Sequence, residues 1–300
     1  MGTETPNLFI VGAAKSATTT IYIHLQKHED IFFSEVKEPK YLSRPYKEFP
    51  MRGPGDDVSE KEEISSKEVY FDLFSNRKEK YLGEASVDYL YYYHTAKEIH
   101  NLNPKAKIII CIRNPVDRAY SAYWHLKNDE REALSFEDAL KEEENRIKNN
   151  YEFIWHYKNA GLYYEQVKAY IETFGKENVH ILMQEEISQD IKGSINNILE
   201  FLGLGKITFE IDNIKNNPSG IPKSKIINKF VRNQNQFKNL LKFIVPKSFR
   251  QKVKAKILSK NYTKTTMDQK IRSQLTRYYT DDIKELEHLI NKDLSKWYQL

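Results

Sequence analysis

Short apolar runs alternate along this chain with stretches in which apolar residues recur every three or four positions, the pattern of strands followed by amphipathic helices. Leu8 to Val11, Tyr81 to Glu84, Lys107 to Ile112 and Val179 to Met183 read as strands. Helices are predicted over Thr18 to Lys27, Thr95 to Asn101, Pro115 to Lys127, Phe136 to Lys148, Leu162 to Phe174, Ile191 to Leu202 and Asp268 to Ile290. Strands that alternate with helices point to an α/β fold, a central and mostly parallel sheet flanked by helices.

Between the first two predicted strands lies a polar stretch from Ser43 to Ser66 that contains Pro45, Pro50, Gly53, Pro54 and Gly55. It reads as a surface excursion over the carboxyl ends of the strands, where open α/β sheets bind ligands and an acceptor cleft could form. There is no internal repeat, so the 300 residues parse as one domain. No apolar run reaches the roughly 18 residues of a membrane span, and Leu8 lacks a basic flank and a cleavage site. No signal peptide or transmembrane segment is therefore expected. With Cys111 as the only cysteine, an internal disulfide and a thiolate metal cluster are both excluded, and a cytoplasmic setting, peripheral to a membrane at most, fits.

The charge changes this picture in one place. The net charge is only +5, but from Asn213 to Met267 there is no Asp or Glu among 14 Lys and Arg residues. Phe237, Leu240, Leu241, Phe243, Ile244 and Val245 are interleaved with those lysines. Such a basic helical subregion could lie on an anionic membrane, track a polyanionic glycan, or solvate a helical pair packed on the core. No nucleic-acid motif accompanies it, so nucleic acid is not an expected partner.

The first strand carries the most specific chemistry. Leu8-Phe-Ile-Val-Gly12 runs into Ala13-Ala-Lys15-Ser16-Ala17-Thr18-Thr19-Thr20, which opens a helix, and strand, small-residue loop and helix N-terminus together cradle an anion. It is not a Walker A loop, because counting from Gly12 puts Ala17 and Thr18 where that motif needs Gly and Lys. The lysine comes early instead, and Lys15 projects toward whatever group leaves or gains charge. An ordinary βα turn with a surface lysine would read the same way.

A second element follows the third predicted strand, in Arg113-Asn-Pro-Val-Asp-Arg118-Ala-Tyr-Ser121. An arginine at the end of a buried strand points into the cleft, and Pro115 suits the first helical turn. Arg113 with Ser121, two turns on, could grip a second phosphate, or Arg113 could form a structural salt bridge.

Together the early-lysine loop and the Arg-Asn-Pro-x-x-Arg-Ala-x-Ser segment resemble the paired nucleotide motifs of sulfotransferases that use 3′-phosphoadenosine 5′-phosphosulfate (PAPS) and release adenosine 3′,5′-bisphosphate (PAP). Gly83-Glu84-Ala-Ser-Val-Asp-Tyr89 is similar to the catalytic-glutamate segment of the carbohydrate, heparan-sulfate-type branch and its bacterial relatives. Glu98-Ile-His-Asn-Leu-Asn-Pro104, Ala160-Gly-Leu-Tyr163 and Asp293-Leu-Ser-Lys-Trp297 extend the resemblance over most of the chain. The phenol and steroid branch has a catalytic histidine where this chain has Glu84, which favours the glutamate-using branch.

The resemblance implies a P-loop-like three-layer sandwich and a transferase of the EC 2.8.2 class that needs no metal. It implies that Lys15, Ser16, Ala17, Thr18, Thr19 and Thr20 hold the 5′-phosphosulfate, that Arg113 and Ser121 hold the 3′-phosphate, and that Glu84 is the general base. Partial desolvation at the end of its strand could raise the Glu84 pKa toward a useful value. His125 matches a histidine near the acceptor in some relatives, with a helix-face carbonyl contact as the alternative. His94 is a weaker candidate for the same role. Lys37 and Lys40, in a Lys-Glu-Pro-Lys sequence shared with bacterial relatives, could touch the sulfonate or acceptor, and Tyr163 could face the cleft or pack in the core. Lys260 to Thr266 stands where relatives close a basic loop over the nucleotide, without the glycine-rich form of that loop.

The expected activity is sulfuryl transfer to an acceptor hydroxyl, of a carbohydrate or glycolipid, or otherwise of a small alcohol or phenol. A P-loop nucleotide kinase is disfavoured by the failed Walker A count, and a non-catalytic nucleotide- or glycan-binding protein by the intact Lys15 and Glu84.

Overall fold

Strands β1 (Leu8–Gly12), β2 (Ile31–Phe33), β3 (Tyr81–Ala85), β4 (Lys107–Ile112) and β5 (Val179–Met183) form one parallel sheet in the order β2-β3-β1-β4-β5. The computed structural model describes residues 5–207, 221–222, 262–263 and 266–299. Between the strands run α1 (Thr18–Leu25), α2 (Asp56–Glu62), α3 (Lys67–Asp72), α4 (Thr95–Leu102), α5 (Pro115–Asn128), α6 (Phe136–Lys148), α7 (Tyr163–Phe174), α8 (Gln184–Gln189) and α9 (Ile191–Phe201). A two-residue antiparallel pair, β6 (Ile221–Pro222) with β7 (Tyr262–Thr263), and a long α10 (Gln269–Ile290) complete the described strands and α-helices.

The sheet separates two apolar layers because successive strand side chains point to opposite faces. Leu8, Ile10, Ile109 and Cys111 pack with Ile21 and Leu25 of α1 and Ile195, Ile198 and Leu199 of α9. Phe9, Val11, Ile108, Ile110 and Ile112 pack with α4, α5, α7 and α10. All of Ile108 to Ile112 is fully buried, and each isoleucine there contributes about 1.5–3 kcal/mol. Strand order reverses around β1, whose neighbours are β3 and β4, and the crevice at such a switch point is where ligands bind in sheets of this kind.

Helix starts follow local chemistry. Asn114 caps α5 by accepting from Val116 N at 3.0 Å, with Pro115 at the first helical position. Ser135 caps α6, Asp190 caps α9, and Asp268 caps α10. An ion pair between Arg272 and Asp117 holds α10 against α5.

Three short helices and one strand escape the sequence pattern. β2 is only three residues long and is specified by its partner: a Cβ on Gly83 would lie 2.6 Å from the Phe33 ring, so the close approach requires glycine. α2 and α3 lie between β2 and β3, and the interior of the polar stretch is anchored, with Met51, Asp56 and Glu63 buried. α8 follows β5 without a loop, so a strand-like run conceals its start. Among the described residues no helix is long and apolar enough to cross a membrane.

Candidate active site

The loop after β1 is bent by residues that are not glycine. Lys15 and Ala17 adopt left-handed backbone with φ of 73° and 68°, a conformation that costs about 1 kcal/mol or more per residue and persists where the surroundings enforce it. Gly12, at φ 150°, leaves no room for a side chain, since a Cβ there would sit 2.7 Å from Leu90 Cβ. Ala17 starts α1 without a side-chain cap, which leaves the first amides of the helix for a ligand. The Ser16 hydroxyl is wholly buried and has no hydrogen-bond partner, an orphan that a ligand oxygen would satisfy. Thr18 is buried, while Thr19 and Thr20 are partly exposed.

The second motif reaches this loop directly. Arg113 extends from the end of β4, and its Nη1 donates to the Lys15 carbonyl at 3.3 Å. Ser121 is buried two turns into α5. Arg118 of the same helix is fully buried and donates to the Tyr157 carbonyl at 2.6 Å, tying α5 to the segment before α7. Lys37 also joins the loop, with Nζ 3.2 Å from Thr19 Oγ1 and 2.8 Å from Glu38. Two cations from distant parts of the sequence, Arg113 and Lys37, thus reach the Lys15 loop and the helix start that follows it.

Glu84 stands on β3 in register with Phe9, so its carboxyl points into the apolar layer opposite α1. It exposes no surface. Its Oε2 accepts from Tyr70 at 2.6 Å and from Tyr89 at 3.1 Å, while Oε1 has no partner. Burial pushes its pKa up to about 7, and the neighbouring hydroxyls of Ser86, Tyr70 and Tyr89 restrain that rise. A carboxyl that titrates near neutrality can take a proton under ordinary conditions.

The remaining candidates fall in different places. His125 lies on α5 with Nδ1 3.5 Å from Asp129, and His94 is exposed at the start of α4, packed against Tyr93 and Tyr46. Lys40 is buried, with Nζ 3.0 Å from Glu152 and 2.8 Å from Ser59. Tyr163 is fully buried between Ser16, Arg118 and the Arg113 backbone, and burial pushes its phenol up to about 12. The basic subregion from Asn213 to Met267, and the loop from Lys260 to Thr266, lie almost wholly outside the described residues.

Sequence reasoning missed Tyr70, Tyr89, Asp88 and Lys47. Asp88 is fully buried, hydrogen bonded to Ser43 at 2.7 Å and paired with Lys47 at 2.7 Å. Desolvation works to raise its pKa, but Lys47 and Lys40 outweigh it and the carboxyl is held below its usual value. Tyr89 and Asp88 stood within the quoted Glu84 segment, so proximity was the available signal. Tyr70 and Lys47 had none, because they arrive through the polar stretch and the helix after it.

The sulfotransferase-domain family model matches residues 5–299. Over its whole length the chain is similar to a sulfotransferase from Alicyclobacillus acidocaldarius of known structure, at 34% identity and a TM-score of 0.79, covering 99% of this chain and 100% of that one. Human carbohydrate sulfotransferase 15 is 25% identical over 254 residues, 68% of this chain and 44% of that protein. A mouse bifunctional heparan sulfate N-deacetylase/N-sulfotransferase 4 is 32% identical over 128 residues, 42% of this chain and 13% of that protein. The chain therefore spans less than half the length of these curated relatives.

Proposed function

Because this chain belongs to the sulfotransferase family, we propose that it moves a sulfuryl group from PAPS to an acceptor hydroxyl by in-line displacement, with Glu84 as general base. The observation that carries this reading is the convergence of Arg113 and Lys37 on the Lys15 loop and its uncapped helix N-terminus, beside a strand that bears a carboxyl with a pKa near 7. The residues fit the donor: the unpartnered Ser16 hydroxyl and the left-handed loop suit phosphate and sulfonate oxygens.

When bound, PAPS supplies the sulfuryl group and a phosphate as leaving group. Ser16 to Thr20 and the first α1 amides hold the non-bridging oxygens, and Arg113 with Ser121 holds the 3′-phosphate. The Lys15 ammonium balances the charge that develops on the departing phosphate. Glu84 takes the acceptor proton while the acceptor oxygen bonds to sulfur and the bond from sulfur to the bridging oxygen breaks. No surface of Glu84 is exposed in this conformation, so the reading requires the packing around Oε1 to open as the acceptor enters.

A carbohydrate is the favoured acceptor, supported by the similarity to carbohydrate sulfotransferase 15 and the heparan sulfate enzyme. The polar stretch over the strand ends and the basic 213–267 region are the parts we assign to acceptor choice. The test is transfer of labelled sulfate from PAPS to a panel of polysaccharides, glycolipids and phenols, read by mass spectrometry, with calorimetry of PAP against ATP and Mg²⁺. Sulfated sugar and PAP binding support the reading. Binding of ATP alone would overturn the PAPS reading.

A further inference from the structure

We propose that Tyr70 and Tyr89 are positioning residues that grip the Glu84 carboxylate through Oε2 and reserve Oε1 for the acceptor's proton. The inference rests on the assignment of Glu84 as the general base and adds how that base is oriented and tuned.

The geometry is specific about direction. Tyr89 Oη accepts from the Leu42 amide at 3.1 Å, so the single phenolic proton of Tyr89 is committed to Glu84, 3.1 Å away. Tyr70 comes from α3, fourteen residues before Glu84, and donates at 2.6 Å. Its ring is fixed by stacking on Tyr41, with centroids 4.5 Å apart at 22°, and by edge contacts with Phe71 and Phe74. Burial and the neighbouring Glu84 hold both phenols far above their ordinary pKa, so both stay protonated at any working pH. Two donors converge on one oxygen, and the other oxygen is left without a partner.

The groups that face this carboxyl come from several elements. Ser86 and Asp88 follow it on the chain, Tyr41 stands behind Tyr70, and Tyr170 of α7 lies on the inner side. Asp88 is a like charge that pushes Glu84 up, and its own charge is balanced by Lys47 and Lys40. Against desolvation and Asp88, the two phenols and Ser86 are what keep Glu84 ionisable. Removing a phenol oxygen therefore raises the pKa of the base, and a larger fraction of the enzyme carries it protonated at neutral pH.

The experiment is the pH dependence of kcat for labelled sulfate transfer in Tyr70→Phe, Tyr89→Phe and the double variant, each of which keeps the ring and deletes one oxygen. The acidic limb is expected to move up by about one pH unit per single variant, with kcat about tenfold lower at pH 6 and recovering toward the wild-type plateau at high pH. KM for PAPS is expected to stay within about twofold of wild type, because both phenols bond Glu84 and neither belongs to the loop assigned to the donor. An unmoved limb, with kcat lowered equally at every pH or unchanged, would overturn the inference and leave the tyrosines a packing role. Glu84→Gln in the same series separates the two claims: if it retains transfer, the base assignment itself fails. If either phenylalanine variant is too unstable to assay, infrared titration of the Glu84 carboxyl, isolated by subtraction of Glu84→Gln, reads the same shift without turnover. A midpoint equal to wild type there would also overturn it.

Discussion

The loop at Lys15 and the carboxyl at Glu84 sit on neighbouring strands, yet they are held in place differently. The Lys15 side is assembled from contiguous backbone: a bent loop, an uncapped helix and one arginine that hydrogen bonds the loop carbonyl. The side around Glu84 is assembled from side chains far apart in sequence. Tyr70 and Tyr89 bond Glu84, Lys47 pairs with Asp88 and Lys40 with Glu152, all in a volume closed to solvent. A backbone cradle can bind a constant donor with little help, whereas a buried polar network fixes a base whose pKa depends on every member.

The contrast can be broken first at Lys15. On the proposed mechanism Lys15→Ala removes the charge that balances the departing phosphate, so transfer should fall about 10³-fold while PAP affinity changes less than tenfold, as measured by single-turnover kinetics and calorimetry. Equal losses in both would make Lys15 a binding residue only.

Lys40→Met tests the other side. Lys40 is buried with Glu152, and after its removal that carboxylate keeps only Ser59 and Arg131, so denaturant unfolding should show a loss of about 3 kcal/mol. A loss below about 1 kcal/mol would mean that the network is not cooperative.

Acidity gives a third probe of about the same or smaller size. The folded-state pKa of Glu84 is raised from 4.5 to about 7, so its stabilising contribution is complete below pH 4.5 and is lost as pH rises through 7. Asp88, with a lowered pKa, has the opposite sign: its contribution is present above its ordinary value and is lost in acid. Wild type minus Glu84→Gln, followed by denaturation from pH 4.5 to 8, should change by about 2–3 kcal/mol in favour of the variant at the alkaline end. The smallest effect is expected for Arg113→Ala, about 10- to 50-fold in PAP affinity with kcat changed less, because the loop amides remain.

This division also explains what the sequence disclosed. β1, β4 and β5 were visible as apolar runs, and α5 and α6 by period and cap, because those signals are local. The early lysine and the Arg-Asn-Pro segment were visible for the same reason. β2, α2 and α3 were not, since three to seven residues carry too little periodicity and their placement depends on partners such as Gly83 with Phe33. Tyr70 reaches Glu84 through α3, and Lys40 reaches Glu152 across 112 residues, contacts that no spacing rule anticipates.

In the proposed mechanism the backbone cradle binds the donor while Glu84 activates the acceptor. Sulfate transfer by Glu84→Gln, measured beside its PAP affinity, tests both parts at once. The expected result is a PAP dissociation constant within about twofold of wild type and a loss of transfer of about 10²- to 10⁴-fold. Transfer comparable to wild type, or a PAP affinity that falls with it, would contradict the account.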